Sequence, residues 1–280
     1  MNSGVTDVRP RPAVVPGLVS VTFRQLAPAR VVELAADAGL RAVEWGGDVH
    51  VPVGNLRAAE HVRGLCAGHD LAVASYGSYF RPGSDAAADF VPVVETAVAL
   101  GAPSVRVWAG RLGSGEATER QRADVVDGLA KAVVQAAEHD LKVALEFHPG
   151  TLTDTVDSTL ALLDEVRVLL GTSGPAAWTY WQPGRGTPTP AQARDEVRAL
   201  GRHLMTAHVF SWSADGARLP LADRADLWQG VLADLRGEQG AEPRAEGDAV
   251  TRFALLEFVR DDDPGAFRQD AASLLDWLDG

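Results

Sequence analysis

The chain has 280 residues, 46% of them hydrophobic, which is enough for one large core and excludes a chain disordered throughout. Its formal charge of −12 is spread rather than blocked. That argues against a nucleic-acid or anionic-membrane partner held by bulk electrostatics, while a local basic pocket for a phosphate stays open.

Residues 1–13 (MNSGVTDVRPRPA) read as a loose, Pro-containing tail without the long apolar segment of a signal peptide, and no stretch approaches a membrane span. The single cysteine, Cys66, allows no intrachain disulfide, which fits a reducing compartment. A cytoplasmic protein is the expectation.

From Leu18 onward one phrase repeats: a short β-rich run, a turn, an amphipathic helix and a Gly or Asp stop. A strand over 18–22 leads to a helix that starts near Pro28 and stops at Gly39. A strand over 41–45 leads through GGDVHVPVG to a helix over 55–69, and a strand over 71–76 to a helix over 85–100. The fourth unit is a strand over 104–108 with a helix over 118–139. The fifth begins at KVALEFHPG, with a helix over 155–170. Strands over 176–181 and 204–210 precede helices over 190–200 and 221–235. A polar, low-complexity stretch, 237–250, reads as a mobile surface loop before a last strand over 252–258 and a helix over 264–278. Such alternation predicts parallel strands with right-handed crossovers. Eight units in this length favour an α/β fold made of a single (β/α)8 TIM barrel over 14–280, and no Gly-rich dinucleotide fingerprint follows the first strand.

Polar residues then fall repeatedly at the C-terminal ends of the strands, the functional face of such a barrel. They include Glu44, Ser75, Tyr76, Arg106, Trp108, Glu146, His148, Tyr180, Gln182, His208 and Glu257, with Asp48, His50, Tyr79 and Arg81 in the following loops. Glu146, His208 and Glu257 each interrupt an apolar run: VALEF, TAHVF and ALLEF. Two carboxylates and an imidazole make half or more of a divalent-metal site. The ordinary alternative is a buried Glu–His–Arg network. Glu146 and His148, two apart on a strand, should project together. Of the 7 tryptophans, Trp45, Trp108, Trp181 and Trp212 fall near the expected mouth, and aromatic faces suit a sugar or polyol. Gly46 and Gly47 would let backbone approach a ligand, with Asp48 and His50 as hydroxyl contacts.

The motifs LVSVTF, AVEWGGDVHVP, VALEFHPG, TYWQPG, HVFSW and LLEFVRDDDP together resemble the sugar phosphate isomerase/epimerase (xylose isomerase-like TIM barrel) superfamily, from about Gly17 to the C-terminus. The resemblance implies a metal held by Glu from the fifth strand, Asp from the sixth, His from the seventh and Glu from the eighth. Glu146, His208 and Glu257 match that pattern, and Gln182 stands where the Asp is expected. A neutral Gln ligand removes one negative charge, so the ion would be held less tightly and act as a stronger Lewis acid. Arg185 stands where the pattern has a neutral donor and would suit a carboxylate, phosphate or enediolate.

What the resemblance implies is a metal-dependent isomerase or epimerase of a small keto-sugar or sugar derivative. Glu146 and Glu257 would be the acid/base pair working through an enediolate, with Mn²⁺ as the first choice and Mg²⁺, Co²⁺, Fe²⁺ or Zn²⁺ as alternatives. Substrate contacts are expected from His148, Arg185, Glu44, His50, Trp108, Tyr76 and Trp212. The alternatives are a lyase or dehydratase on an inosose- or dehydroshikimate-like substrate, or a C-glycoside-cleaving subunit, on the same metal site. A non-catalytic sugar-binding barrel is the third. A multi-metal nuclease of the endonuclease IV type is excluded by the acidic charge and only 7 histidines. The oligomeric state, including a homo-oligomer, stays open.

Overall fold

The computed structural model describes residues 14–83, 89–184, 188–237 and 251–279. Its centre is a closed barrel built from eight strands. They are β1 (Val14–Val19), β2 (Ala42–Gly46), β3 (Ala72–Gly77), β4 (Ser104–Val107), β5 (Lys142–Leu145), β6 (Ala177–Trp181), β7 (Leu204–Val209) and, after a small hairpin, β10 (Arg252–Leu256). The order round the barrel is β1-β10-β7-β6-β5-β4-β3-β2, and every neighbouring pair is parallel. The helices are α1 (Pro28–Asp37), α2 (Leu56–Ala67), α3 (Val91–Leu100), α4 (Glu119–Ala137), α5 (Val156–Leu170), α6 (Pro190–Leu200), α7 (Ala225–Gly237) and α8 (Pro264–Asp279). The expected (β/α)8 architecture is the one found.

Local chemistry sets the helix starts. Thr118 and Thr189 each accept a hydrogen bond from the backbone N–H three residues on, and Gln121 and Gln192 reciprocate. Pro28 and Pro190 stand in first turns, where no N–H is required. The largest apolar cluster lies between strands and helices, and includes Trp45, Trp181 and Trp228, all fully buried. Two smaller clusters fill the barrel itself: Val19, Ala42, Ala74, Phe253 and Leu255 on one side, Ala144, Trp178, Tyr180 and Met205 on the other.

Because side chains on a strand repeat every second residue, the columns of this interior can be followed upward. Ala42 is followed by Glu44, Ala144 by Glu146, Tyr180 by Gln182, and Leu255 by Glu257. Each column changes from apolar to polar towards the C-terminal end of its strand, so the barrel's apolar plug carries a polar floor.

Several boundaries depart from expectation. β1 starts at Val14, and of the strand expected over 18–22 only 18–19 belong to it, since Ser20–Phe23 is a 3₁₀ turn. β5 ends at Leu145, although Glu146 still donates its N–H to Val107 O at 3.0 Å. α3 begins at Val91, with Asp89 Oδ1 accepting its N–H, and residues 84–88 lie outside the described set. The expected helix over 221–235 is a 3₁₀ turn followed by α7. Of the stretch expected as a loop, Gly237 is the last residue of α7, and 238–250 lie outside the described residues, as do 1–13. An unforeseen antiparallel hairpin, β8 (Ser211–Trp212) with β9 (Arg218–Leu219), rises directly after β7. No helix among the described residues is long and apolar enough to cross a membrane.

Trp228 of α7 anchors the outer layer, stacking edge-on against Trp181 at 5.8 Å and donating its indole N–H to Phe210 O at 3.2 Å. Trp228→Ala should cost about 3–5 kcal/mol through the cavity it leaves. Urea unfolding checks this, and an unchanged midpoint would contradict it.

Candidate active site

Above the polar floor lies a cavity of about 430 Å³ whose lining includes Tyr79, Arg106, Trp108, Glu146, His148, Gln182, Phe210, Trp212, Phe258 and Glu257. The rim adds Arg24, Arg218 and Asp262.

The floor is organised by Arg106, whose guanidinium is almost fully buried and ion-paired to both Glu146 and Glu44. Glu146 Oε2 accepts from Arg106 Nη1, and Arg106 Nε lies 3.3 Å from Glu44 Oε1. Ser75 Oγ donates to Glu44 Oε2 at 2.5 Å and Tyr180 OH donates to the same oxygen at 2.9 Å. His208 sits between acids, with Nε2 3.6 Å from Glu44 Oε1 and Nδ1 3.3 Å from Glu257 Oε2. The Glu–His–Arg network weighed as the ordinary alternative is therefore present, and its members Arg106, Glu146 and Glu257 also line the cavity.

These surroundings push like groups apart. Burial alone would raise the Glu44 carboxyl, but Arg106, His208 and the Ser75 hydroxyl hold it down at about 2. Burial also raises Glu146, and the nearby Glu257 charge adds to that, so that it ends above the ordinary carboxylate range despite Arg106. For His208, burial opposes protonation, yet the Glu257 and Glu44 carboxylates lift it to about 10.

On the cavity wall, His148 Nδ1 is 2.6 Å from Pro149 O. A carbonyl only accepts, so Nδ1 carries the proton and Nε2 is the ring nitrogen left to take up another. The ring also stacks on Trp108 at 4.4 Å, and the Arg81 guanidinium lies over Trp108 at 4.2 Å.

Tyr79 and Trp108 follow β3 and β4, whereas Phe210, Trp212 and Phe258 follow β7 and β10, which are the strands diametrically opposite in the barrel order. Phe210, Trp212 and Phe258 stack mutually at 5.1–5.3 Å. The cavity is thus a slot with two aromatic walls. Phe258 reaches its place only with a left-handed φ of +52°, a conformation that costs a bulky residue about 1 kcal/mol or more. Arg218 steadies that turn by donating to Val259 O at 3.2 Å and Asp262 Oδ1 at 2.5 Å.

Not every expected contact reaches the cavity. Glu44, wholly buried, lies beneath the floor as an acceptor for its neighbours. Tyr76 is also fully buried and donates to Val51 O at 2.8 Å, which ties down the β2–α2 loop. His50 spends both ring nitrogens on that loop's footing, at 3.0 Å from Ser20 Oγ and 3.2 Å from Leu26 O. Asp48 is ion-paired to Arg24. Gly46 and Gly47 serve packing: a Cβ on either would collide with Val21 or the Tyr76 hydroxyl. Trp45 and Trp181 belong to the outer core. Arg185 lies outside the described residues. Glu146, His148, Trp108, Gln182, Trp212 and Glu257 do line the cavity, with His208 just below. Arg106 was visible as a cation inside the run SVRVW, without an assigned role. The Phe258 wall had no sequence signal.

Could the floor hold a divalent cation? His208 Nδ1 lies 3.4 Å from Gln182 Oε1 and 3.3 Å from Glu257 Oε2. Ligands bound at about 2.1 Å with octahedral angles stand roughly 3 Å apart, so His208 Nδ1 is close to the required spacing from both oxygens. Glu257 Oε2 is buried with no hydrogen-bond partner. Glu146, turned to Arg106, stands apart from them, and Gln182 is an amide. Hence no group of three or more His, Cys, Asp and Glu side chains closes on one point among the described residues. The donor set fits a borderline-hard divalent cation held by Gln182, His208 and Glu257.

A model of the xylose isomerase-like TIM barrel family matches residues 32–209. The chain belongs to that family. By sequence it is 42% identical to a 3-dehydroshikimate dehydratase of Bacillus anthracis over 62 residues, which span 22% of this chain and 22% of that relative's length. The solved probable 3-DHS dehydratase AsbF of Bacillus anthracis superposes with a TM-score of 0.74 at 20% identity, covering 94% of this chain and 98% of that one. A D-psicose 3-epimerase of Clostridium cellulolyticum H10, solved with D-tagatose, gives 0.69 at 11% identity over 95% and 98%. At those structural identities the shared property is the barrel.

The depressed Glu44 carboxyl has a consequence for acid stability. Its folded value, about 2, lies below the ordinary 4.5, so ionised Glu44 stabilises the fold fully above about pH 4.5. That contribution is lost as pH falls from 4.5 towards 2. Melting temperature followed through this window should fall steeply for the native chain and more shallowly for Glu44→Gln; parallel curves would contradict the assignment.

Proposed function

We propose that the protein is a lyase that removes the proton α to the carbonyl of a small polyhydroxylated ring compound, of dehydroshikimate or inosose type, and expels a β-hydroxyl as water. The observation that carries this reading is the slot: two facing aromatic walls over an acid floor suit a flat ring better than an open chain. The sequence match to a dehydratase supports the same choice.

The residues divide the work as follows. His148 Nε2 accepts the α-proton, because its Nδ1 proton is committed to Pro149. The C–H bonding pair moves toward the carbonyl oxygen, and the resulting enolate re-forms its carbonyl as the C–O bond to the β-hydroxyl breaks. Glu146, raised by burial and aligned by Arg106, delivers the proton that lets the hydroxyl leave as water. A divalent cation on Gln182, His208 and Glu257, Mn²⁺ being the first to test, supplies Lewis-acid stabilisation of the oxyanion when bound. Trp108 and Trp212 face the ring from opposite walls and keep water out.

Epimerisation of a keto-sugar is the second reading, favoured by the mutual influence of Glu146 and Glu257 at one floor. It shares proton removal but returns a proton instead of losing water. The test is incubation with 3-dehydroshikimate, an inosose and D-psicose in D₂O with Mn²⁺ or Mg²⁺. Water loss from a ring substrate, reduced about 10²–10⁴-fold in His148→Gln, is the expected result. Deuterium incorporation without water loss would favour the epimerase. Binding with neither reaction would leave a sugar-binding barrel and overturn both.

A further inference from the structure

Glu44 lies below the cavity and touches no ligand space, yet it joins both halves of the floor. Donors reach its carboxylate from four other strands: Ser75 on β3, Arg106 on β4, Tyr180 on β6 and His208 on β7. The sheet is shaped for this meeting. The β2–β3 register slips by one residue between Val43 and Glu44, so Ala74 is bulged out and Ser75 becomes the partner of Glu44. Tyr180 reaches from β6, the strand opposite β2, across the whole barrel. Gly77 leaves the space; a Cβ there would stand 3.0 Å from both Arg106 Nη2 and Glu44 Oε1.

The two carboxylate oxygens have different duties. Oε2 is taken by the hydroxyls of Ser75 and Tyr180. Oε1, Arg106 Nε and His208 Nε2 form a buried triangle, 3.3 and 3.6 Å along the two edges from Oε1, in which none of the three atoms has a closer partner. Both ring nitrogens of His208 face acceptor-only oxygens, Nε2 towards Glu44 Oε1 and Nδ1 towards Gln182 Oε1 and Glu257 Oε2, so each calls for a proton. A cation at Nδ1 would replace the proton there and leave the one on Nε2 towards Glu44.

We infer that Glu44 is the positioning residue of the floor, keeping a proton on Nε2 of His208 so that Nδ1 is the nitrogen that a cation beside Gln182 and Glu257 would take up. The inference rests on the metal reading given above and adds the group that prepares the imidazole as a ligand. Carboxylates behind a ligating imidazole orient the ring and raise its basicity, and their removal weakens binding about 10–100-fold. Through Arg106, the same carboxylate also fixes the direction of Glu146, so one buried acid sets both the cation-binding and the proton-transferring sides.

The experiment is titration of Mn²⁺ alone into the full chain, following free Mn²⁺ by paramagnetic resonance. It compares the native protein with Glu44→Gln and Tyr180→Phe. Alongside it, the His208 tautomer is read by ¹⁵N imidazole resonances of the Mg²⁺-loaded protein. The expected result is one tight site in the native chain, weakened about 10–100-fold in Glu44→Gln with loss of the Nε2–H signature, and a smaller loss in Tyr180→Phe. Native-like Mn²⁺ affinity and tautomer in a cooperatively melting Glu44→Gln would overturn the role of Glu44 while leaving the metal reading intact. No Mn²⁺ binding by the native chain would sink the metal reading and this inference together. Should Glu44→Gln fail to fold, an unchanged Mn²⁺ affinity in Tyr180→Phe overturns the inference by itself.

Discussion

A guanidinium buried at the centre of a barrel is tolerable only when carboxylates surround it, and that requirement governs this structure. Arg106 is held between Glu44 and Glu146, each almost without exposure. Desolvating any one of these charges alone would cost several kcal/mol. The floor nevertheless has more acid than base. Glu44, Glu146 and Glu257 oppose one guanidinium, which leaves two negative charges when all three are ionised. An imidazolium at His208 cancels half of that excess, and this is the physical origin of its upward shift. A divalent cation beside a neutral His208 would cancel all of it. The amide at 182 then has an electrostatic rationale: an acid there would add a buried negative charge with nothing left to balance it.

Much of this was legible from sequence because the barrel writes its layers in a period of two. The strings VALEF and ALLEF end their apolar columns in an acid, and in both the acid stands on the floor beneath the cavity. Height along a column was less legible. Glu44 also ends a column, but it sits lower than Glu146, since β2 and β3 slip against each other at Ala74 and draw Glu44 toward Ser75. A bulge is a property of two strands together and leaves no mark in either alone. Tyr76 and His50 were misplaced for a related reason: both lie near a strand end, but Tyr76 spends its hydroxyl on Val51 O in the β2–α2 loop and His50 its ring on Ser20 Oγ and Leu26 O in the β1–α1 connection, so neither reaches the cavity.

The aromatic walls show the opposite case. Trp108 and Trp212 could be suspected of facing a ligand from their positions alone, while Phe258 could not. Its placement depends on a left-handed backbone that a phenylalanine resists, and on an arginine from the hairpin after β7 that grips the turn after β10. The hairpin itself is only two residues per strand, too short to show in a periodicity.

Strain at Phe258 and charge balance at Arg106 bear on the same chemistry from opposite sides of the slot. The residue immediately before the strained turn is Glu257, whose Oε2 has no hydrogen-bond partner. The residue gripped by Arg106 is Glu146. One carboxylate is thus steadied from above by the Arg218-pinned turn, the other from below by the guanidinium. A ring seated between the walls would meet two acids whose orientations are set by independent parts of the fold. In the proposed elimination the oxyanion would be stabilised by the cation that Glu257 helps to hold and the leaving hydroxyl would be protonated by Glu146, so the two acids must keep fixed places relative to one another while the substrate flattens. Two separate supports under one rigid barrel achieve that without either acid having to follow the other.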